Sequence, residues 1–247
     1  MTIDGERIAD EGIYLEEDRF ENPKELFKFI AGHLENAGYP SSYDLFDVGC
    51  ATGEFLYYLG KRFPDSRFSG LDVSQSMIEY ARTRNSAVDF RAGSALDAEN
   101  FGDRKFDIVT SIGMLECFGE EQVAQAIENI LSAVKEGGSA FLFSTFNDYP
   151  IDVIMKCRRV TEEDAGIWES GWNLFSRLTV ERILKSLDYQ LSWSWAPWEM
   201  PLAIPKREDQ MRTWTIKTEE NPFQRVTGAR LWVHDELLHV RVEKIGK

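Results

Sequence analysis

Cysteine, histidine and basic charge are all scarce in this 247-residue chain, and each scarcity removes a class of function. Cys50, Cys117 and Cys157 are odd in number and widely spaced, with no CxxC pair, so neither a disulfide framework nor a zinc site is indicated. Only three histidines are present, which leaves few groups for acid–base work near neutral pH. Lys and Arg number 28 against 42 Asp and Glu, a formal net charge of −14, so a polyanion meets a repulsive average field and nucleic acid is not an expected partner. The densest basic cluster, Lys156-Cys157-Arg158-Arg159, is too short to form a basic stripe. No apolar run approaches the roughly 18 residues of a membrane-spanning helix. The acidic N-terminus lacks the basic start and apolar run of a secretory signal. The expectation is a cytoplasmic protein with reduced thiols and no membrane association.

Hydrophobic residues make up 43% and charged residues 28%, which suits one globular core. The first 21 residues are polar and acidic and read as an arm. Asn22 then offers a helix N-cap, with Pro23 at the first helical position and Glu25 at the capping-box position. Leu26, Phe27, Ile30 and Leu34 follow at helical spacing, and Gly38 is a stop. From residue 43 onward, short apolar runs alternate with helical segments, the pattern of βα units on a mostly parallel sheet. Strands are expected at 45–48, 67–71, 88–92, 106–111 and 139–143. Helices are expected at 53–62, 74–82 and 121–134, the last ending in Lys135-Glu136-Gly137-Gly138. Segment 148–175, with Pro150, Gly166 and Gly171, reads as an insertion beside the C-terminal ends of the strands. A helix at 179–187 and strands at 190–195 and 237–242 complete the pattern, with 197–228 packing on the sheet edge or over the site. The expected organisation is a single domain: an arm and cap helix (1–42), a core (43–147), the insertion (148–175), and a C-terminal helix and strands (176–247).

The chemistry-bearing segment is Asp47-Val48-Gly49-Cys50-Ala51-Thr52-Gly53-Glu54, which leaves an apolar strand and enters a helix. Small residues at Gly49, Ala51 and Gly53 let a ligand approach the backbone N–H groups. Nineteen residues after Gly53, Asp72 ends the second strand, where a carboxylate stands beside the loop and can accept hydrogen bonds from vicinal ribose hydroxyls. A plain strand–helix turn and a helix-capping acid would supply the same residues singly, but their joint occurrence at this spacing points to a nucleoside site. A nicotinamide dinucleotide loop wants G-x-G-x-x-G, and here those positions hold Gly49, Ala51 and Glu54. A carboxylate at the third position opposes pyrophosphate binding.

On these motifs residues 45–146 resemble the class I S-adenosylmethionine-dependent methyltransferase superfamily, and the C-terminal part does so more loosely. The resemblance implies a Rossmann-like, seven-stranded, mostly parallel sheet flanked by helices, its last strand antiparallel, with an N-terminal helical cap and insertions over the site. It implies S-adenosylmethionine as cofactor and S-adenosylhomocysteine as product. Asp47 would help hold the methionine amino group, and Gly49, Cys50, Ala51 and Gly53 would lie against that portion. Asp72 would bind the ribose, followed by Val73 and Met77. Ser94 and Ala95 would flank the adenine, with Ser94 standing where the family usually carries an acid. Ser111, Ile112 and Gly113 would form the wall after the fourth strand.

The acceptor is expected to be a small molecule methylated on a hydroxyl, such as a sugar or natural product, ahead of a small amine, in a pocket built from 1–20, 148–175 and 197–228. Tyr14, Trp168, Trp172, Trp195, Trp198 and Trp214 lie in or near those segments, with Glu169, Lys206 and Arg207. A base is required only if the acceptor must lose a proton. His33 reads as structural, His234 and His239 lie near the last strand, and no catalytic residue is assigned. No metal is expected, and the oligomeric state is open. A noncatalytic S-adenosylmethionine-binding protein would keep the same loop and fill the acceptor cavity, and an NAD-dependent dehydrogenase is the remoter alternative.

Overall fold

The computed structural model describes residues 2–3, 6–7, 14–15, 18–39, 42–148, 150–158, 160–162, 165–171, 173–198, 214–216, 224–226 and 234–245. Along the chain these form α1 (Glu25–Asn36), β1 (Asp44–Val48), α2 (Glu54–Arg62), β2 (Arg67–Asp72), α3 (Gln75–Arg84) and β3 (Asp89–Ala92). Then come β4 (Phe106–Ile112), α4 (Glu120–Ser132), β5 (Val134–Asn147), α5 (Arg177–Ser186), β6 (Tyr189–Pro197) and β7 (His234–Ile245). The main sheet has the order β3-β2-β1-β4-β5-β7-β6. Strands β1 to β5 pair in parallel. Strand β7 is antiparallel to both β5 and β6, as the expected last strand is. A two-residue strand, Phe175–Ser176, adds in parallel to the end of β5. Short backbone pairings among Thr2–Ile3, Glu6–Arg7, Glu169–Ser170 and Lys156–Cys157 join the N-terminal arm to the 148–175 segment. Among the described residues no helix is long and apolar enough to cross a membrane.

Side chains alternate across the sheet because the strand period is two. Phe46 and Val48 of β1 enter a core with α4 and α5, while Leu45 enters a second core with α1, α2 and α3. On α4 the buried residues Val123, Ala126, Ile127, Ile130 and Leu131 follow the helical period. Each of the larger ones stabilises by about 1.5–3 kcal/mol relative to exposure. The strand order reverses between β1 and β4. That is where an open α/β sheet leaves a crevice at its C-terminal edge.

Two local expectations are corrected. Helix α1 starts at Glu25, with Lys24 as an extended N-cap (ψ 144°) that offers no side-chain cap, rather than at Asn22 and Pro23. The preceding residues are held elsewhere. Phe20 is buried against Tyr57 and Tyr80, and Glu21 accepts hydrogen bonds from the Tyr57 hydroxyl (2.7 Å) and the Lys61 ammonium (2.9 Å). The second correction concerns Lys135-Glu136-Gly137-Gly138, which lies within β5 and not at a helix end. Val134 is fully buried and pairs with Phe106, so the chain turns straight from α4 into the strand. Gly138 then passes so close to β4 that a Cβ there would stand 2.7 Å from the Asp107 carbonyl oxygen.

The C-terminal elements are locked by an ion pair. Arg177 at the start of α5 donates from Nε to Oε2 of Glu236 on β7 at 2.9 Å and from Nη2 to Oε1, and Glu236 is only 1% exposed. Removing one member strands a buried charge. Arg177→Met should therefore lower the urea-unfolding free energy by about 3–5 kcal/mol, and Arg177→Met/Glu236→Leu should recover most of it. A single variant as stable as the parent would show that the pair does not hold α5 to β7.

Candidate functional site

The turn after β1 is shaped by backbone geometry. Gly49 and Gly53 have φ of +82° and +77°, and Ala51 between them sits at +45°. For alanine that left-handed conformation costs roughly 1–2 kcal/mol. The offset comes from Asp72 at the end of β2, whose Oδ2 accepts the Ala51 N–H at 2.8 Å and whose Oδ1 accepts the Ser74 N–H at 2.9 Å. Ser74 in turn caps α3 by accepting from the Met77 N–H. The N–H groups of Gly49 and Cys50 both bond to the Leu71 carbonyl, at 2.8 and 3.0 Å, so the turn is stitched to β2 along its length. The glycines are small for packing reasons within the protein. A Cβ at Gly49 would stand 3.0 Å from Cβ of Met114, and one at Gly53 would stand 2.6 Å from the Phe90 ring.

Beside this turn lies a cavity of about 220 Å³. Of the residues picked from the sequence, Asp47, Gly49, Cys50, Ala51, Ile112 and Gly113 line it. Gly53 is packed under Phe90, while Met77 and Ala95 are core residues. Asp72 and Val73 are half-buried on the β2 side of the turn, outside the cavity wall. Ser94 turns its hydroxyl back to accept the Leu96 N–H at 3.1 Å, and Ser111 is buried with no hydrogen-bond partner for Oγ among the described residues. Tyr14, Leu26, Phe27 and Glu54, named in the sequence for other reasons, also line it, and the wall includes Lys24, Glu116, Phe143, Ser144 and Thr145, which carry no site signal in the sequence. Leu26 and Phe27 of α1 and Phe143, Ser144 and Thr145 of β5 reach the site only through tertiary packing.

The aromatic residues expected around the acceptor divide. Tyr14 lines the cavity. Trp195 packs edge-on against Phe146, Trp198 packs against Phe29 and Phe143, and Trp168 is 55% exposed with the Arg158 guanidinium 4.8 Å above its ring. Trp172, Lys206 and Arg207 lie outside the described residues, as do the side chains of Trp214, Glu169 and His234. His33 contacts Phe29, and His239 stacks on Phe141 with Nε2 2.9 Å from the Ser139 hydroxyl. Burial pushes both imidazoles below the usual histidine value, and neither lines the cavity.

Charge in the cavity is lopsided. Among the described residues Asp47, Glu54 and Glu116 face it together with one lysine, Lys24. Asp47 is 2% exposed, and its Oδ1 accepts a 2.6 Å hydrogen bond from the Thr110 hydroxyl. Burial pushes its carboxyl up to about 7, the Thr110 bond acts the other way, and the nearby Asp72 charge adds to the rise. The same surroundings, burial first and then Asp72 and Asp47, raise the Cys50 thiol. Glu54 is buried in the first turn of α2, where its Oε1 accepts the Arg19 N–H at 2.6 Å.

A family model described as a methyltransferase domain matches residues 45–138. The malonyl-(acyl-carrier protein) O-methyltransferase of Acetivibrio thermocellus is 34% identical over 108 residues, which cover 43% of this chain and 36% of that protein. Its counterpart from Ilyobacter polytropus is 28% identical over 132 residues, covering 52% and 48%. The chain thus spans less than half the length of these two relatives. Among solved structures, an amino pentose methyltransferase from Micromonospora echinaspora with bound S-adenosylmethionine superposes with a TM-score of 0.58 at 18% identity, covering 93% of this chain and 96% of that one. DesVI of Streptomyces venezuelae gives 0.56 at 15% identity, covering 95% and 98%. At these identities the likeness is one of fold.

The raised Asp47 carboxyl has a consequence for stability. In the unfolded chain it titrates near the ordinary aspartate value of about 3.9, so between there and about 7 the folded state holds the extra proton. Its contribution is complete below the unfolded value and is lost as pH rises through about 7. The ligand-free protein should therefore lose on the order of 2–4 kcal/mol relative to Asp47→Asn between pH 4 and pH 8. Parallel stability curves for the two proteins in urea titrations across that range would contradict the assignment.

Proposed function

We propose that the chain, whose residues 45–138 match a methyltransferase domain, is a class I S-adenosylmethionine-dependent methyltransferase that transfers the methyl group of S-adenosylmethionine to a hydroxyl of a small-molecule acceptor. The observation that carries this reading is the buried Asp47 carboxyl on the wall of a cavity beside the glycine turn. A desolvated carboxylate is stabilised by a cation, and the ammonium of the methionine portion is a group of the right charge for it. Gly49, Cys50 and Ala51 would border that portion, with Ile112 and Gly113 opposite. Asp72 would take the ribose. A carboxylate accepts at about four lone-pair positions, so its bonds from Ala51 and Ser74 are compatible with ribose hydroxyls. Gly53, Val73, Met77, Ser94, Ala95 and Ser111 would act as the support of the turn and of the adenine side.

When bound, S-adenosylmethionine supplies an electrophilic methyl on a sulfonium. The chain's residues then have to align the acceptor and exclude water. The core at 43–147 would hold the cofactor, with the arm and cap helix (1–42) and the insertion (148–175) as cover, and 176–247 completing the sheet. A wall with three carboxylates and one lysine suits a neutral, hydroxyl-bearing acceptor, such as a sugar or natural product, better than an anionic one. A noncatalytic binding protein would keep the same cavity for the cofactor, and formation of a labelled product separates the two roles. Glu54 puts negative charge where a dinucleotide pyrophosphate would meet the N-terminus of α2, which disfavours a dehydrogenase.

Asp72→Ala should weaken S-adenosylhomocysteine binding by about 1.5–3 kcal/mol, since hydrogen bonds to a charged acceptor are lost, and calorimetry reads this directly. Unchanged affinity would rule out Asp72 as the ribose ligand. Incubation with methyl-labelled cofactor and fractionated cell extract should yield a labelled methyl ether. A labelled methyl ester or amine would contradict hydroxyl methylation, and cofactor binding without any labelled product would favour the noncatalytic reading.

A further inference from the structure

The end of the cavity toward β4 and β5 carries Glu116, a carboxylate that the proposed cofactor contacts leave unused. It stands in the short turn Leu115–Cys117 after β4. Its backbone is fixed, because the Glu116 carbonyl accepts the Asn173 N–H at 2.8 Å, and the buried Asn173 side chain donates to the Phe118 carbonyl at 2.7 Å. Its carboxylate is fixed as well. Oε2 accepts the Ser144 hydroxyl at 2.7 Å and, at longer range, the Thr145 N–H and hydroxyl at 3.4 and 3.5 Å. Oε1 has no hydrogen-bond partner among the described residues and lies beside Gly113, where an added Cβ would be 3.9 Å away. One oxygen is therefore anchored from the end of β5 while the other is offered to the cavity.

We infer that Glu116 faces the transferred methyl group from the acceptor side and takes the acceptor's hydroxyl proton. This rests on the reading proposed above. With the ribose at Asp72, on the β2 side of the turn, the rest of the cofactor would lie over the cavity lined by Gly49, Cys50 and Ala51, and the acceptor would enter from the side of β4 and β5. As the acceptor oxygen bonds to the methyl carbon, the carbon–sulfur bond breaks with its electron pair remaining on sulfur, and the O–H proton passes to Oε1 of Glu116. His33 and His239 cannot serve in that role, since both pack away from the cavity against phenylalanines. Ser144 and Thr145 are positioning residues: they hold the carboxylate by one oxygen and leave the other for the acceptor.

Sinefungin, an analogue that carries an amine where the sulfonium carries its methyl, probes this placement without an identified acceptor. Calorimetry on the full chain should show sinefungin binding more tightly than S-adenosylhomocysteine. Glu116→Gln should cut that ratio by about tenfold or more while leaving S-adenosylhomocysteine affinity unchanged, the effect of losing one charge-assisted hydrogen bond. Glu116→Asp should retain an intermediate ratio. Ser144→Ala, which loosens the anchor without touching the carboxylate, should lower the ratio less than Glu116→Gln and serves as the second variant if Glu116→Gln does not fold. An unchanged ratio in the folded variants overturns the role of Glu116 alone. Failure of the parent chain to bind either analogue overturns the cofactor reading and this assignment with it.

Discussion

One carboxylate joins the two turns on which the site is built. Asp72 accepts the N–H of Ala51 after β1 and the N–H of Ser74 before α3, so a single side chain at the end of β2 sets the shape of the first turn and the start of the next helix. Ala51 adopts a left-handed conformation that alanine resists, and the charge-assisted bond from Asp72 offsets that cost. Phe90 and Met114 fill the spaces beside Gly53 and Gly49, and the turn borders the cavity. The same acid is thus both a structural clamp and, in the proposed function, a ligand group.

The second organising feature is a cluster of acidic side chains around one cavity, two of them buried. Asp47, Glu54 and Glu116 ring one small cavity, and each is tied on one side to a hydroxyl or a backbone N–H: Thr110 for Asp47, Arg19 for Glu54, Ser144 for Glu116. Such groups hold their positions before any ligand arrives, which is the arrangement that favours cations and limits reorganisation during reaction. The bond between Glu54 and the Arg19 backbone, with Phe20 packed on α2 and α3 and Glu21 bonded to α2, fastens residues 19–21 beside the start of α2.

Much of this was legible in the sequence, and the exceptions share a cause. The parallel strands stood out because central strands buried on both faces read as short apolar runs, as in β1. The pairing of Gly49-Cys50-Ala51 with Asp72 was visible as a spacing. The start of α1 was misplaced because contacts of Phe20 and Glu21 with α2 and α3, more than thirty residues away, outweigh the local capping signal of Asn22. Lys135 to Gly138 looked like a helix end because glycines mark both stops and close strand crossings, and only the approach to Asp107 distinguishes them. Glu116 gave no signal in a chain with 42 acids. What marks it is the pair of hydroxyls from β5, which no local pattern predicts.

The most direct test is calorimetric titration of the protein with S-adenosylhomocysteine near pH 7 in buffers of different ionisation enthalpy, with NAD as the comparison. If Asp47 receives the ligand's ammonium, binding lowers its carboxyl from about 7, and S-adenosylhomocysteine should bind with release of protons while NAD gives no heat of binding. Binding of NAD without binding of S-adenosylhomocysteine would contradict the site, and S-adenosylhomocysteine binding with no proton release would contradict the role given to Asp47.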